Sequence, residues 1–254
     1  KNRKTPDMNL PVWFDGQNIN EALFCEEFLQ ESRIIFANRA FFTPNGRVTD
    51  DIVLRGEVYE KLKSYTISSV PQKIKNIMEL LKLEAMVEDL PPQPDRIHVA
   101  NGTFFTDGSF SADNSYCNNR LTVSYDPSVP ASKRWLKFLS ELLQAEDIPA
   151  LQEFLGYCLL PTTKWQKMLM LIGKGGAGKS RIGLVMRSPL GDSMNTTSIQ
   201  KVESNRFSRA DLENKLLMVD DDMDMSALPK TNYIKSIVTS ECKMDMARKG
   251  VQSY

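Results

Sequence analysis

The sequence predicts an α/β fold whose second half carries parallel strands, preceded by a mixed α+β region and a helical segment. Two short, continuously apolar runs, "KMLMLIG" at residues 167–173 and "KLLMVD" at residues 215–220, are typical of strands buried on both faces. Stretches with helical spacing of apolar residues lie between and after them. Strands that alternate with helices in this way indicate a parallel sheet covered by helices.

The first half of the chain mixes shorter elements of both types. The turn signal Pro44-Asn45-Gly46 lies between two predicted strands. Further short β segments are predicted in residues 97–110. The predicted helices cover residues 19–30, 51–65, 71–86, 133–144 and 147–160.

These patterns divide the chain into three parts. We predict a mixed α+β accessory domain at residues 1–130, a helical linker at 131–165 and an α/β core at 166–254. The chain begins at Lys1 with the polar lead "KNRKTPD", which suggests that the natural N terminus lies upstream.

The bulk composition is that of an ordinary globular protein. Of 254 residues, 41% are hydrophobic and 25% are charged. Lys and Arg number 32, as do Asp and Glu, so the net charge is zero. Overall charge therefore does not draw the chain onto nucleic acid, and any such contact must come from a local patch.

Cysteine and histidine usage argues against a zinc site. Cys25, Cys117, Cys158 and Cys242 are far apart in sequence, and His98 is the only histidine. We expect the cysteines to be reduced and packed, which suits a cytoplasmic location. No apolar run reaches the roughly 18 residues of a membrane span, and no signal peptide is recognised, so no membrane partner is expected.

Aromatic and basic residues interleave at residues 36–42 and 61–65. Stacking of these rings on nucleic-acid bases is one interpretation. We favour the other, in which the aromatic rings belong to a core and the basic side chains are solvated.

The stretch "GKGGAGKS" matches the phosphate-binding pattern GxxxxGK[ST] between a predicted strand and a predicted helix. Glycines let successive backbone N–H groups turn towards phosphates, and the following helix directs its positive end at them. Lys179 is placed to reach the β- and γ-phosphates and Ser180 to bind Mg²⁺. The expected cofactors are ATP and Mg²⁺, and the expected binding residues are Gly173, Gly175, Gly176, Ala177, Gly178, Lys179 and Ser180.

Acidic residues follow the second apolar run, in "LLMVDDDMD". A strand that ends in acids places the first of them at the edge of the sheet, beside the glycine loop. We assign Asp220 to the Mg²⁺ shell and Asp221 to activation of water. For Asp222 and Asp224, simple solvation is one interpretation.

These motifs together resemble a known family. The segments "LQEFLGYCLL", "KMLMLIGKGGAGKS", "KLLMVDDDM" and "IKSIVTSECKMDMARKG" look like those of a superfamily-three AAA+ helicase. Within that superfamily, the sequence resembles the primase-helicases of phages, plasmids, integrative elements and poxviruses. The resemblance covers residues 97–254 and is weaker before them.

The resemblance implies a DNA-gripping hairpin after the acidic strand. By matching position, Lys249 is the tip lysine with Arg248 beside it, preceded by Lys235 and "TSE" at residues 239–241. In the family, such hairpins line a hexameric ring that holds single-stranded DNA. A primase domain or subunit would lie outside this chain. Alternatively, Arg248 and Lys249 form an ordinary solvated turn.

The family pattern also extends further than this sequence does. A polar sensor residue and an arginine finger would follow Tyr254. An arginine finger raises turnover about 10³–10⁵-fold in NTPases, so we expect this stretch of chain to bind nucleotide and to hydrolyse it slowly. The positions of Arg181, Arg206 and Arg209 give no reason to assign any of them as the arginine finger.

Two other functions remain open at this stage. One is an ATPase switch or loader that assembles on DNA without unwinding it. The other is a non-catalytic scaffold that keeps a nucleotide pocket. The intact set of Lys179, Ser180, Asp220 and Asp221 argues against the scaffold but does not separate helicase from switch.

Overall fold

The computed structural model describes residues 10–66, 68–223, 231–239 and 246. The chain divides into two compact units, Lys1–Pro91 with Ser115–Cys117, and Pro92–Asn114 with Asn118–Tyr254. Both contain helices and small sheets, so the fold is mixed α/β. Among the residues so described, no helix is long and apolar enough to span a bilayer.

The first unit is built from helices and one antiparallel sheet. Two of its helices begin at polar caps: Asn20 accepts from the N–H of Leu23, and Asp50 from that of Ile52. Its elements are α1 (Glu21–Ser32), β1 (Ile35–Ala37), β2 (Ala40–Thr43), β3 (Gly46–Arg47), α2 (Asp51–Leu62) and α3 (Val70–Glu84).

The strand prediction in this unit needs a correction. Two strands were expected around the turn at Pro44-Asn45-Gly46, but the structure has three, in the order β1-β2-β3. The extra turn is at Asn38 and Arg39, which both adopt positive φ, at 49° and 62°. Two such residues close a tight hairpin whose twist matches that of its strands. Arginine gives no signal for this conformation in the sequence.

The aromatic residues of β2 belong to hydrophobic cores. Phe41 is 1% exposed and Phe42 is fully buried. The main core packs α1 against α3 and includes Trp13, Phe24 and Ile77. The core interpretation of these rings is therefore confirmed for Phe41 and Phe42.

The second unit contains an antiparallel sheet followed by helices and a two-stranded parallel sheet. The parallel strands pair Met194 with Leu217 and Thr196 with Val219. Its elements are β4 (Arg96–Val99), β5 (Gly102–Phe105), β6 (Phe110–Ser111), α4 (Lys133–Leu142), α5 (Asp147–Tyr157), α6 (Ser180–Leu190), β7 (Met194–Thr196), α7 (Ile199–Ser204), α8 (Arg206–Ala210), β8 (Leu217–Val219) and α9 (Asn232–Thr239).

The first strand predicted for the α/β core is also absent from the structure at the predicted place. Residues 167–172 form no strand, and the side chains of Met168 and Ile172 are 50% and 84% exposed. An apolar run becomes a strand only where a neighbour exchanges backbone hydrogen bonds with it. No described strand pairs with this segment, whereas β8 pairs with β7. Leu171 alone packs into a core, with Leu139 and Ile182.

The compact units divide the chain after residue 91, earlier than the predicted domain boundary at 130. Packing explains the difference. Val99 of β4 and Leu121 share a core with Met186 and Leu190 of α6. Thr122 also donates its hydroxyl to the carbonyl of Ser188 at 2.6 Å. The three-part division into 1–130, 131–165 and 166–254 stays a prediction about domain type.

His98 is a buried residue of β4 with polar partners on both ring nitrogens. Nδ1 lies 3.1 Å from Oγ1 of Thr103, and Nε2 lies 2.6 Å from Oε1 of Gln93. Burial, aided by the charges of Arg120 and Arg96, lowers the pKa of His98 to about 4. The imidazole is therefore neutral near pH 7 and serves the fold.

This lowered pKa predicts a loss of stability in mild acid. The folded chain resists protonation of His98 down to about pH 4, whereas the unfolded chain takes up the proton near pH 6.5. The free energy of unfolding should therefore fall as pH drops between these values, by up to about 3 kcal/mol. Because no other histidine exists in the chain, the upper part of this window reports on His98. Urea unfolding at pH 7 and 5.5 measures this change in the free energy of unfolding. An equal change in His98→Gln would contradict the prediction.

Candidate functional site

The glycine loop precedes α6 directly, and that helix begins at Ser180. Gly176 and Gly178 have φ of 77° and 94°, a region that side-chain-bearing residues rarely occupy. A Cβ placed on Gly178 would lie 3.3 Å from Cε2 of Phe138. The loop therefore requires glycine at 178 for two reasons, its backbone conformation and the ring of α4 that lies against it.

Gly178→Ala should lower the free energy of unfolding by about 1–3 kcal/mol, since it forces alanine into a strained conformation against Phe138. The matched control is Gly175→Ala in the same loop, where φ is not positive and a new Cβ meets nothing within 4 Å. Chemical denaturation of both variants measures the difference. Equal stability of the two would mean that the loop does not hold this conformation in solution.

Lys179 directs its ammonium group back into the loop. Nζ donates to the carbonyls of Gly173 at 2.8 Å and Lys174 at 2.9 Å. A phosphate oxygen is a stronger acceptor for an ammonium than a neutral carbonyl is. The loop thus holds a half-buried cation beside the N terminus of a helix, an arrangement suited to anions.

Asp220 follows β8 directly and is half-buried. Its Oδ2 accepts a hydrogen bond from the backbone N–H of Ile199, the first residue of α7, at 2.8 Å. An ionised carboxylate has room for several further donors or a cation. Asp221 and Asp222 come next and are exposed.

One cavity of about 640 Å³ brings the loop and the acids together. Its wall also includes apolar side chains of residues 168–172 and 216–219. The residues of the predicted site that line it are Gly173, Gly175, Lys179, Ser180, Asp220 and Asp221.

The remaining predicted residues do not line this cavity or fall outside the described part of the chain. Gly176, Ala177 and Gly178 shape the loop without lining the cavity. Arg248 and Lys249 lie outside the described residues. Lys235 is on α9, with an exposed side chain.

Two polar features of this site had no role in the sequence prediction. Asp222, interpreted as solvated, also lines the cavity. The bond between Asp220 and Ile199 ties the acids to the start of α7. The only sequence signal for it is Ser198, which caps that helix and so marks where its first N–H groups lie.

The donor set suits Mg²⁺. The hydroxyl of Ser180 and the carboxylate of Asp220 face one cavity, and Mg²⁺ prefers oxygen ligands. It is usually bound through one or two carboxylates with substrate phosphates and waters, not by a cage of protein ligands. Among the described residues, no cluster of three or more His, Cys, Asp or Glu side chains is placed to hold a metal.

Two family models match parts of the chain. Residues 41–144 match the family described as D5 N terminal like, and residues 171–254 match a family of unknown function, DUF5906. The first match supports the resemblance to the primase-helicases of phages and plasmids, and it begins well upstream of residue 97. The second contains the glycine loop and the acids but describes no activity. None of the curated proteins compared with the chain matches it.

Proposed function

We propose that this protein binds ATP with Mg²⁺ in the cavity shared by Lys179, Ser180 and Asp220, and acts as the motor of a replicative primase-helicase. The observation that carries the proposal is that the loop and the acids, far apart in sequence, line one cavity. A cation, a hydroxyl and carboxylates that line one cavity are the groups that phosphoryl transfer needs.

Each residue has a role in this proposal. Backbone N–H groups of the loop and the ammonium of Lys179 bind the β- and γ-phosphates. Ser180 and Asp220 would hold Mg²⁺, which would supply positive charge to stabilise the phosphates during transfer. Asp221 orients the attacking water and accepts its proton. Its exposed carboxylate at the cavity edge suits exchange of that proton with solvent.

The DNA-related part of the proposal rests on family likeness. The match of residues 41–144 supports the resemblance to primase-helicases. From that resemblance we propose a ring of six copies around single-stranded DNA. Arg248 and Lys249 would contact the phosphates of that strand, one pair from each copy. A primase domain or subunit would be a further partner.

ATP hydrolysis with and without single-stranded DNA tests this function, with Lys179→Ala as the inactive reference, measured on a chain that includes the arginine finger expected after Tyr254. We expect DNA to stimulate turnover and Lys249→Ala to abolish the stimulation while nucleotide still binds. Turnover that ignores DNA would favour the ATPase switch. Nucleotide binding without any turnover would favour the scaffold.

A further inference from the structure

Helix α7 touches the candidate nucleotide site with its first residue. The N–H of Ile199 donates to Oδ2 of Asp220 at 2.8 Å. Ser198 caps the same turn by accepting from the N–H of Lys201 at 3.3 Å. The first turn of α7 is therefore fixed to the carboxylate that we propose as a Mg²⁺ ligand.

The other end of α7 holds the start of α9. The two carboxylate oxygens of Glu203 divide the first free N–H groups of α9 between them. Oε1 accepts from Ile234 at 2.8 Å, and Oε2 accepts from Tyr233 at 3.3 Å. Amides in the first turn of a helix have no partner within it, so Glu203 supplies what α9 lacks.

Arg209 of α8 contacts both the end of α7 and the start of α9. It is 4% exposed, and its Nη1 donates to the carbonyls of Val202 at 2.9 Å and Glu203 at 3.3 Å. Its Cζ lies 3.9 Å from the centre of the Tyr233 ring. The guanidinium thus binds the last turn of α7 and the first turn of α9 at once.

Apolar packing joins the same elements. Ile199 and Val202 of α7 share a buried cluster with Ile234 of α9, and Met218 of β8 packs against it. Close-packed side chains transmit displacement because they have no voids into which to relax. Helix α7 is thus packed between the strand that ends in the acids and the helix that carries Lys235.

We propose that α7 couples the state of the nucleotide site to α9, with Glu203 and Arg209 as positioning residues. Asp220 would lose charge density to a bound Mg²⁺ ion, and its hydrogen bond with the N–H of Ile199 would weaken. A six-residue helix spans only about 9 Å and moves as a rigid body, so its far end shifts the first turn of α9. This inference rests on the proposed function.

α9 is a suitable receiver of such a signal. It carries the exposed Lys235 and precedes, in sequence, the segment with Arg248 and Lys249. Coupled binding is reciprocal. If nucleotide changes the affinity of α9 for a ligand by some factor, that ligand changes the affinity for nucleotide by the same factor. Coupling through α7 would therefore let DNA and nucleotide sense one another.

Hydrogen exchange of the chain, with and without a non-hydrolysable ATP analogue and Mg²⁺, tests the coupling. We expect nucleotide to change the exchange rates of the Tyr233 and Ile234 amides by about fivefold or more. Tyr233 is the decisive readout, because Ile234 itself lines the cavity and Tyr233 does not. In Glu203→Gln only one side-chain oxygen remains to accept, so this response should shrink markedly. Nucleotide affinity should stay within about twofold, since Glu203 does not line the cavity.

Two further variants keep the test sharp. Glu153→Gln removes the same charge from an exposed position on α5 and should leave the response intact. Arg209→Lys keeps the charge but loses the planar guanidinium over Tyr233, so it should also weaken the response. It replaces Glu203→Gln in the test if that variant does not fold.

The outcomes separate the coupling from the function on which it rests. Bound nucleotide with unchanged exchange at Tyr233 and Ile234 overturns the coupling and leaves the function standing. A full response in folded Glu203→Gln and Arg209→Lys overturns the role of these residues. Failure of the wild-type chain to bind nucleotide overturns both proposals.

Discussion

Lys179→Ala should weaken the binding of ATP by about 10–100-fold, because charge-assisted hydrogen bonds to phosphate contribute about 1.5–3 kcal/mol. The ammonium already lies within the loop, 2.8 Å from the carbonyl of Gly173, so little reorganisation precedes binding. Alanine removes this donor and leaves the loop glycines unchanged. Calorimetric titration of wild type and variant with ATP and Mg²⁺ measures the change in Kd.

Lys174→Ala is the matched control for this variant. It removes one positive charge from the same loop, but the Lys174 side chain is exposed and does not line the cavity. We expect its Kd to stay near that of the wild type. Equal losses in the two variants would show that net charge matters and that the position of Lys179 does not.

Asp220→Asn should lower the rate of ATP hydrolysis by about 10²–10³-fold, the usual cost of one preorganised charge-stabilising group. Asparagine retains a carbonyl oxygen that can accept from the N–H of Ile199, so α7 should keep its place. It lacks the negative charge that holds Mg²⁺. The variant should therefore also lose the tightening of ATP binding by Mg²⁺, read from titrations with and without the metal.

The control here is Asp192→Asn, which makes the same change at an exposed position outside the cavity. Single-turnover hydrolysis and the Mg²⁺ dependence of binding should be unaffected by it. A wild-type response to Mg²⁺ in Asp220→Asn would remove Asp220 from the metal site and direct attention to Asp221 or Asp222.

The helices and the glycine loop could be predicted because their signals are local. Helical spacing located α1, α2 and α3 to within a few residues, since the core-facing positions recur every turn. The positive φ of Gly178 could be expected because glycine adopts this backbone conformation readily and the phosphate-binding pattern has glycine at this position. A short stretch of sequence contains all the information for such features.

Features that depend on distant partners could not be predicted in this way. The run at residues 167–172 has strand composition, yet β7, not this run, pairs with β8. Ser198 marks the start of α7 in the sequence, but it does not indicate that Asp220 accepts from the N–H of Ile199, because that contact depends on how β8 packs beside α7. The same holds for the bonds of Glu203 to the first turn of α9.

The compact units illustrate the same limit. A boundary near residue 130 follows the change from mixed to helical patterning, but Val99 and Leu121 pack with the α6 residues Met186 and Leu190. Patterning reports which face of an element is apolar and not which element covers it. Only the folded structure shows that the β4–β6 sheet belongs with the glycine loop.

The most direct test of the central claim is a titration of the folded wild-type chain with ATP and Mg²⁺. The claim that Lys179, Ser180 and Asp220 form one nucleotide site predicts saturable binding at a single site. That binding should tighten with Mg²⁺ and be lost in Lys179→Ala. A folded chain that binds no ATP, or that binds it equally well without Lys179, would contradict the claim.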